Sequence, residues 1–300
     1  MAPSTTLRTI VRAFHLLERA APGVGERWAA RLWFTAPPPL PLDRLPVPPP
    51  GEEVGVELDG RRLRATAWGA GPLVLLLHGW GGRSEQLGAF VAPLVAAGHR
   101  VVALDAPGHG RSGPGELGGR RSTVPEFAAA LRAAAAQHGR LPGERNGRPH
   151  AVVAHSFGAA AAGHALRGGL RPGRLVLLAP MGDPRRVFAG FVARLELGPR
   201  VRAGLERRAV RAAGLPWEAF DLPATALSTT VPPTLVVHDH GDREVGFRDG
   251  REIARAWPGA RLLATEGLGH RRLLRDPAVV AEVAAFVSAP VPAAPGRRSA

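Results

Sequence analysis

The chain has 300 residues, 45% of them hydrophobic, enough to bury a large core as one α/β domain with an insertion or as two smaller domains. It contains no cysteine, which excludes a disulfide framework and a thiolate zinc site and fits a reducing compartment, read here as the cytoplasm. All 39 basic residues are arginine, and with no lysine or tyrosine the net charge of +14 reads as coding bias toward G+C-rich codons. Nucleic-acid binding would gather the cations on one face beside aromatic platforms, whereas here they are spread along the chain and aromatics make up 5%.

No apolar run approaches the roughly 20 residues of a membrane span, and Arg8, Arg12, Glu18 and Arg19 interrupt what a signal peptide would keep apolar. Residues 1–36 read as an N-terminal helical segment. Over 5–34, Leu7, Ile10, Val11, Phe14 and Leu17 recur on one helical face, Pro22-Gly23 break the helix, and Val24, Trp28 and Leu32 continue the stripe. Two readings fit. Glutamates on the polar face favour a helix packed on the following domain, while Trp28, Trp33 and Phe34 beside arginines suit weak peripheral contact with a membrane surface. Residues 37–51 are a proline-rich, stiff linker.

A domain over 52–288 follows. Val54, Val56 and Leu58 alternate up to Asp59-Gly60 and a second strand passes through Leu63 and Ala65, which predicts a β-hairpin. Short continuous apolar runs come next, at 73–77, 101–104, 151–154, 175–179, 234–238 and 261–264, separated by helical segments. Runs apolar on both faces belong to strands covered by helices on both sides, so the fold class is α/β with a mostly parallel central sheet. Residues 184–230 break the alternation and read as an inserted, mobile helical cap. Phe188, Phe191, Trp217 and Phe220 are expected to line an apolar pocket beneath it, and its arginines to form a solvated outer face. Residues 289–300 read as a disordered tail.

The chemistry-bearing residues fall just after those strands. His78-Gly79-Trp80-Gly81-Gly82 is a glycine-rich turn whose free amides suit a developing oxyanion, where one donor is worth about 2.7–4 kcal/mol. His78 at the strand end reads as a structural, hydrogen-bonded histidine. Asp105 to Ser112, D-A-P-G-H-G-R-S, is turn chemistry. Ala154-His155-Ser156-Phe157-Gly158 closes a strand and opens a helix, the context of a nucleophile elbow, with alanine where the first glycine usually stands. A serine hydroxyl needs a histidine base and an orienting carboxylate. Asp242 lies in the turn after the 234–238 run, and His270 in a glycine-flanked loop after the last strand.

With H-G-W-G-G, D-A-P-G-H-G-R-S, A-H-S-F-G-A, G-D-R-E-V and G-L-G-H each after its strand, the chain resembles the α/β-hydrolase superfamily over roughly residues 52–288. The resemblance implies Ser156 as nucleophile, Asp242 as orienting acid and His270 as base. It implies an oxyanion hole from the backbone amides of Trp80 and Phe157, and 184–230 as the lid. It further implies a serine hydrolase acting on a small-molecule carboxylic ester of small or medium acyl chain, with no cofactor and no metal. Acyl transfer and carbon–carbon bond hydrolysis use the same triad, and a non-catalytic binding protein on this scaffold is a further alternative. His238-Asp239-His240-Gly241-Asp242 also fits the start of a binuclear metal motif, but Arg243 stands where the next histidine would be. His155, His238 and His240 are therefore read as structural or supporting.

Overall fold

The computed structural model describes residues 5–139 and 148–289; most of the predicted tail, 290–300, lies outside them. Helices α1 (Thr5–Ala20) and α2 (Pro22–Phe34) meet at Ala21, where the Pro22-Gly23 pair predicted the break. Strands β1 (Glu52–Leu58) and β2 (Arg61–Trp68) pair through a two-residue turn at Asp59 and Gly60, both with positive φ, which suits a right-twisted hairpin. The remaining strands are β3 (Leu73–Leu77), β4 (Arg100–Leu104), β5 (Ala151–His155), β6 (Arg174–Leu178), β7 (Thr234–Asp239) and β8 (Arg261–Thr265). All six coincide with the predicted runs to within a residue or two.

The eight strands form one sheet in the order β1-β2-β4-β3-β5-β6-β7-β8, antiparallel at β1/β2 and β2/β4 and parallel from β4 onward. Every residue of β3, β5, β6 and β7 is buried, as strands sandwiched between helices must be. One face packs α4 (Val124–His138), α5 (Phe157–Arg167) and α8 (Phe247–Ala256), around Phe127, Leu131 and Trp257. The other face packs the short α3 (Val91–Ala96) and the terminal α10 (Pro277–Ser288), around Phe90, Leu94 and Val283. The chain crosses from β3 outward to β4 and back to β5 on the opposite side of β3. This switch point opens a crevice above the carboxyl ends of β3 and β5.

A third cluster lies apart from the sheet. Helices α6 (Pro184–Arg194) and α7 (Pro199–Ala213), inserted between β6 and β7, pack with α1 and α2 around Phe14, Leu197, Val201 and Leu205. Phe14 stacks on Trp28 at 4.5 Å, and the Glu18 carboxylate accepts from the amides of Arg200 and Val201, both at 2.9 Å, capping α7. Glu26 receives Arg208 at 2.8 Å. The aromatic residues of the N-terminal segment are thus turned into the molecule. Among the described residues no helix is long and apolar enough to cross a membrane.

Candidate active site

Ser156 occupies the sharp turn between β5 and α5 at φ 54, ψ −116, a conformation that costs a non-glycine residue free energy and is held by its neighbours. Its amide donates to Leu178 O at 2.9 Å. The turn needs small flanks. A Cβ on Gly158 would lie 2.4 Å from the His78 carbonyl oxygen, while the Ala154 methyl is accommodated in the core at 0% exposure. Alanine is therefore tolerated on the strand side and excluded on the helix side.

The Ser156 hydroxyl donates to His270 Nε2 at 3.0 Å, and His270 Nδ1 donates to Asp242 Oδ2 at 2.7 Å. The other Asp242 oxygen accepts the amides of Glu244 and Val245 at 2.8 and 2.9 Å. Burial works against charge on Asp242, but hydrogen bonds from His238 and His270 and from the Val245 amide outweigh it and hold the carboxyl well below its usual range. An ionised Asp242 fixes the Nδ1–H tautomer of His270 and leaves Nε2 free to accept the serine proton. His270 itself sits on the short α9 (Gly269–Arg272), entered through Gly267 and Gly269, both at positive φ.

The predicted decoys have structural partners. His78 accepts the Ala106 amide at Nε2 and lies 2.7 Å from the Gly79 carbonyl through Nδ1, and burial pushes its pKa down. His155 donates to the His270 carbonyl at 3.1 Å; burial and then the neighbouring His270 lower its pKa well below the usual value. His238 reaches both Val245 O and Asp242 through Nε2, and the exposed His240 packs its ring on Phe247. Among the described residues no three His, Cys, Asp or Glu side chains converge as a metal site.

The amides of Trp80 and Phe157 donate to no other described residue. A Cβ on Gly79 would stand 3.0 Å from the Ser156 Cβ, tighter than an ordinary contact, so glycine there lets the β3 loop pass close to the serine without displacing it. Asp105 anchors that loop, accepting the Ser84 amide at 2.7 Å and the Arg111 amide at 3.0 Å.

Two contributors escaped the sequence reading. Asp239 accepts Gly241 N, Thr265 Oγ1 and Leu268 N at 2.8–2.9 Å, tying the acid loop to the histidine loop. The predicted run stopped one residue before it, at His238, and the loop it binds could not be read from the sequence. The second is the wall of the cavity of about 350 Å³ that opens on Ser156 and His270. Trp80, Phe157, Trp217 and Phe220 line it, but so do Trp33 and Phe34 of α2 and Pro37, Pro38 and Leu40 of the proline segment. That segment is fastened by the Ala36 amide on Arg120 O at 2.8 Å and by Arg120 on the Pro37 carbonyl. Phe188 and Phe191, expected in the wall, instead pack edge-on against Trp33, and their helix turns Pro184 and Val187 to the cavity. Most of the cap arginines are exposed, as expected of a solvated face; Arg186 is half-buried and pairs with Asp249 and Glu252.

Comparison with known proteins agrees with this architecture. Residues 70–214 match a family described as serine aminopeptidase, S33, and residues 208–298 one described as TAP-like protein. The dihydrolipoyllysine-residue acetyltransferase component of the acetoin cleaving system of Cupriavidus necator is 32% identical over 137 residues, 45% of this chain. The match spans only 34% of that relative's length. The esterase RhEst1 from Rhodococcus sp. ECU1013 superposes with a TM-score of 0.56 at 22% identity, over 80% of this chain and 98% of its own. The esterase EaEST from Exiguobacterium antarcticum gives 0.58 at 16% identity, over 80% and 100%. With the eight-stranded sheet, the strand-end turns and the matched families in agreement, the chain belongs to the α/β-hydrolase superfamily as a serine hydrolase.

Proposed function

We propose that the chain hydrolyses carboxylic esters of small or medium acyl length through an acyl-Ser156 intermediate. The observation that carries this reading is the hydrogen-bonded series Ser156–His270–Asp242 opening onto an apolar cavity. Ser156 Oγ attacks the ester carbonyl as its proton passes to His270 Nε2. The carbonyl oxygen becomes an oxyanion held by the amides of Trp80 and Phe157. Collapse expels the alkoxide, which takes the proton from His270 and leaves as the alcohol. Water then gives a proton to His270 and its oxygen to the acyl carbon, and the second collapse returns the proton to Ser156 and releases the carboxylic acid. Asp242 stays ionised and holds the imidazole.

In this reading residues 1–36 and 37–51 are an N-terminal segment and linker, 52–288 the hydrolase domain and 184–230 its cap. Acyl transfer is the second reading, favoured by the acetyltransferase name of the curated relative. In that case an acceptor alcohol or thiol replaces water in the second half-reaction. The test is labelling with a fluorophosphonate followed by peptide mapping, with ester turnover measured in parallel. Label on Ser156 alone, abolished together with turnover in Ser156→Ala, is the expected result. Turnover by an unlabelled protein refutes the scheme, and acyl product on an added alcohol in place of free acid selects transfer.

A further inference from the structure

Beside the catalytic cavity lies a second cleft of about 230 Å³, and the two share Leu40, Gln86 and Arg271 at their common edge. Four of the nine residues lining the second cleft are arginines, Arg44, Arg271, Arg272 and Arg275, and none is acidic. They come from two places in the chain. Arg44 ends a single helical turn, Leu42–Arg44, of the proline segment; Arg271 and Arg272 follow His270 directly, and Arg275 ends the next turn, Leu273–Arg275.

The environment compensates only one of these four charges. Arg271 is paired with Glu244, with Nε and Nη2 each 3.0 Å from a carboxylate oxygen. Arg272 is fixed by the carbonyls of Leu268 and Gly267, which orient the guanidinium without neutralising it. The side chains of Arg44 and Arg275 donate to no described residue. The nearest carboxylates in sequence are Asp43, which stands outside the lining, and Asp276, engaged in capping α10 through the amides of Ala278 and Val279. One apolar cavity and one cationic cleft thus meet beside Ser156.

We infer that the arginine cleft is a subsite for a phosphate carried by the leaving group of the substrate, whose acyl chain fills the apolar cavity. This inference rests on the ester-hydrolysis reading for its chemistry. Guanidinium groups match phosphate oxygens in planar, often bidentate pairs. A carboxylate would satisfy fewer donors than the cleft offers. Because the arginines are solvent-exposed, water and salt screen them, so the preference is modest and falls as ionic strength rises.

The experiment compares two esters with the same hexanoyl group, one on glycerol and one on glycerol 3-phosphate, using the full chain at low and high salt. The phosphorylated ester is expected to be favoured by about tenfold in kcat/KM at low salt, chiefly through KM. In the Arg44→Ala/Arg275→Ala double variant, whose altered residues do not line the catalytic cavity, that preference disappears while the neutral ester is still turned over. Equal rates on both esters in the unaltered protein, or a preference that survives in the double variant, overturn the subsite. Calorimetric titration with inorganic pyrophosphate separates this inference from the reaction. Binding lost in the double variant, with no ester turned over, keeps the subsite and removes hydrolysis. Turnover without preference and without binding does the reverse. Arginine-dependent sedimentation with phosphatidylglycerol vesicles, with no effect of soluble phosphate esters, would make the cleft a membrane contact and overturn it.

Discussion

Replacing Trp33 by alanine tests whether the N-terminal segment forms part of the acyl site. The indole lines the catalytic cavity and meets Phe188, Phe191 and Trp217 edge-on at centroid distances of 5.5, 5.2 and 6.3 Å. It is half-buried, so the loss of stability is about 2–3 kcal/mol, below the ~3–5 kcal/mol of a fully buried tryptophan. The effect on specificity is larger. Each methylene of an acyl chain moved from water into the cavity gains about 0.8 kcal/mol, roughly fourfold in kcat/KM, until the space is filled. In the unaltered protein the rate across p-nitrophenyl esters of increasing acyl length should therefore climb about fourfold per carbon and then fall. In Trp33→Ala the climb should continue over several further carbons, with short esters losing rate because they no longer fill the site. Val47→Ala, in the neighbouring proline-rich linker and 91% exposed, should leave the profile unchanged. An identical acyl-length profile in a folded Trp33→Ala protein would mean that the indole only braces the cap helices, and the cavity wall would have to be redrawn without α2.

Trp217→Ala should shift the same optimum toward longer chains, because Trp217 faces the cavity from the cap side; a matched profile would detach the cap from the acyl site. His240→Ala should retain turnover within about twofold, whereas His270→Ala should lose at least ~10⁴-fold in kcat, since members of a triad act as a unit. Equal losses in the two variants would mean that the base has been misassigned. Gly158→Ala should destabilise the fold by about 3 kcal/mol in urea titration, because its Cβ would meet the backbone of β3, and an unaltered midpoint would contradict the packing of α5. Stability should also begin to decline in acid above the ordinary carboxylate range. Burial, then the like charge of His78, lowers His109 from 6.5 to about 3. The unfolded chain therefore takes that proton first, so the contribution is complete above pH 6.5 and is lost as pH falls toward 3, by up to about 1.4 kcal/mol per pH unit. Urea midpoints in His109→Phe should fall less steeply over this window, and parallel curves for the two proteins would refute the assignment.

The parts of the site that were legible in the sequence share a local cause. Ser156 and Asp242 each follow a short, mostly apolar run, the pattern of a strand buried on both faces, and His270 follows a third such run. Strands that are parallel place their following turns at one edge of the sheet, so three residues distant in sequence were brought together by topology alone. The edge strand β8 shows the limit of that signal, since its pattern is half-exposed and only its neighbours made it readable. The cavity wall has no such local signature. A proline run reports stiffness, but the surface it lies on is set by Ala36 bonding Arg120 and by Gly81 leaving room for Pro37, whose ring would stand 2.6 Å from a Cβ there. Phe188 and Phe191 were placed in the wall for the same reason. They share a face of α6, and only the docking of α2 against that face decides that it points away from the substrate.

The same division separates chemistry from specificity. The hydrogen-bonded series Ser156–His270–Asp242 depends on loops that the sheet positions, with Asp239 holding the acid and histidine loops together. The cavity beside Ser156 depends on a layer in which α1 and α2 pack on α6 and α7, fastened by Glu18 on the first amides of α7 and by Glu26 on Arg208. A substitution in that layer can alter the size of the cavity without touching a hydrogen bond of the triad. On the ester-hydrolysis reading, acyl preference can therefore change while the sheet and its hydrogen-bonded side chains stay as they are. The N-terminal segment, which shares no strand with the sheet, would move that preference as much as the inserted helices do.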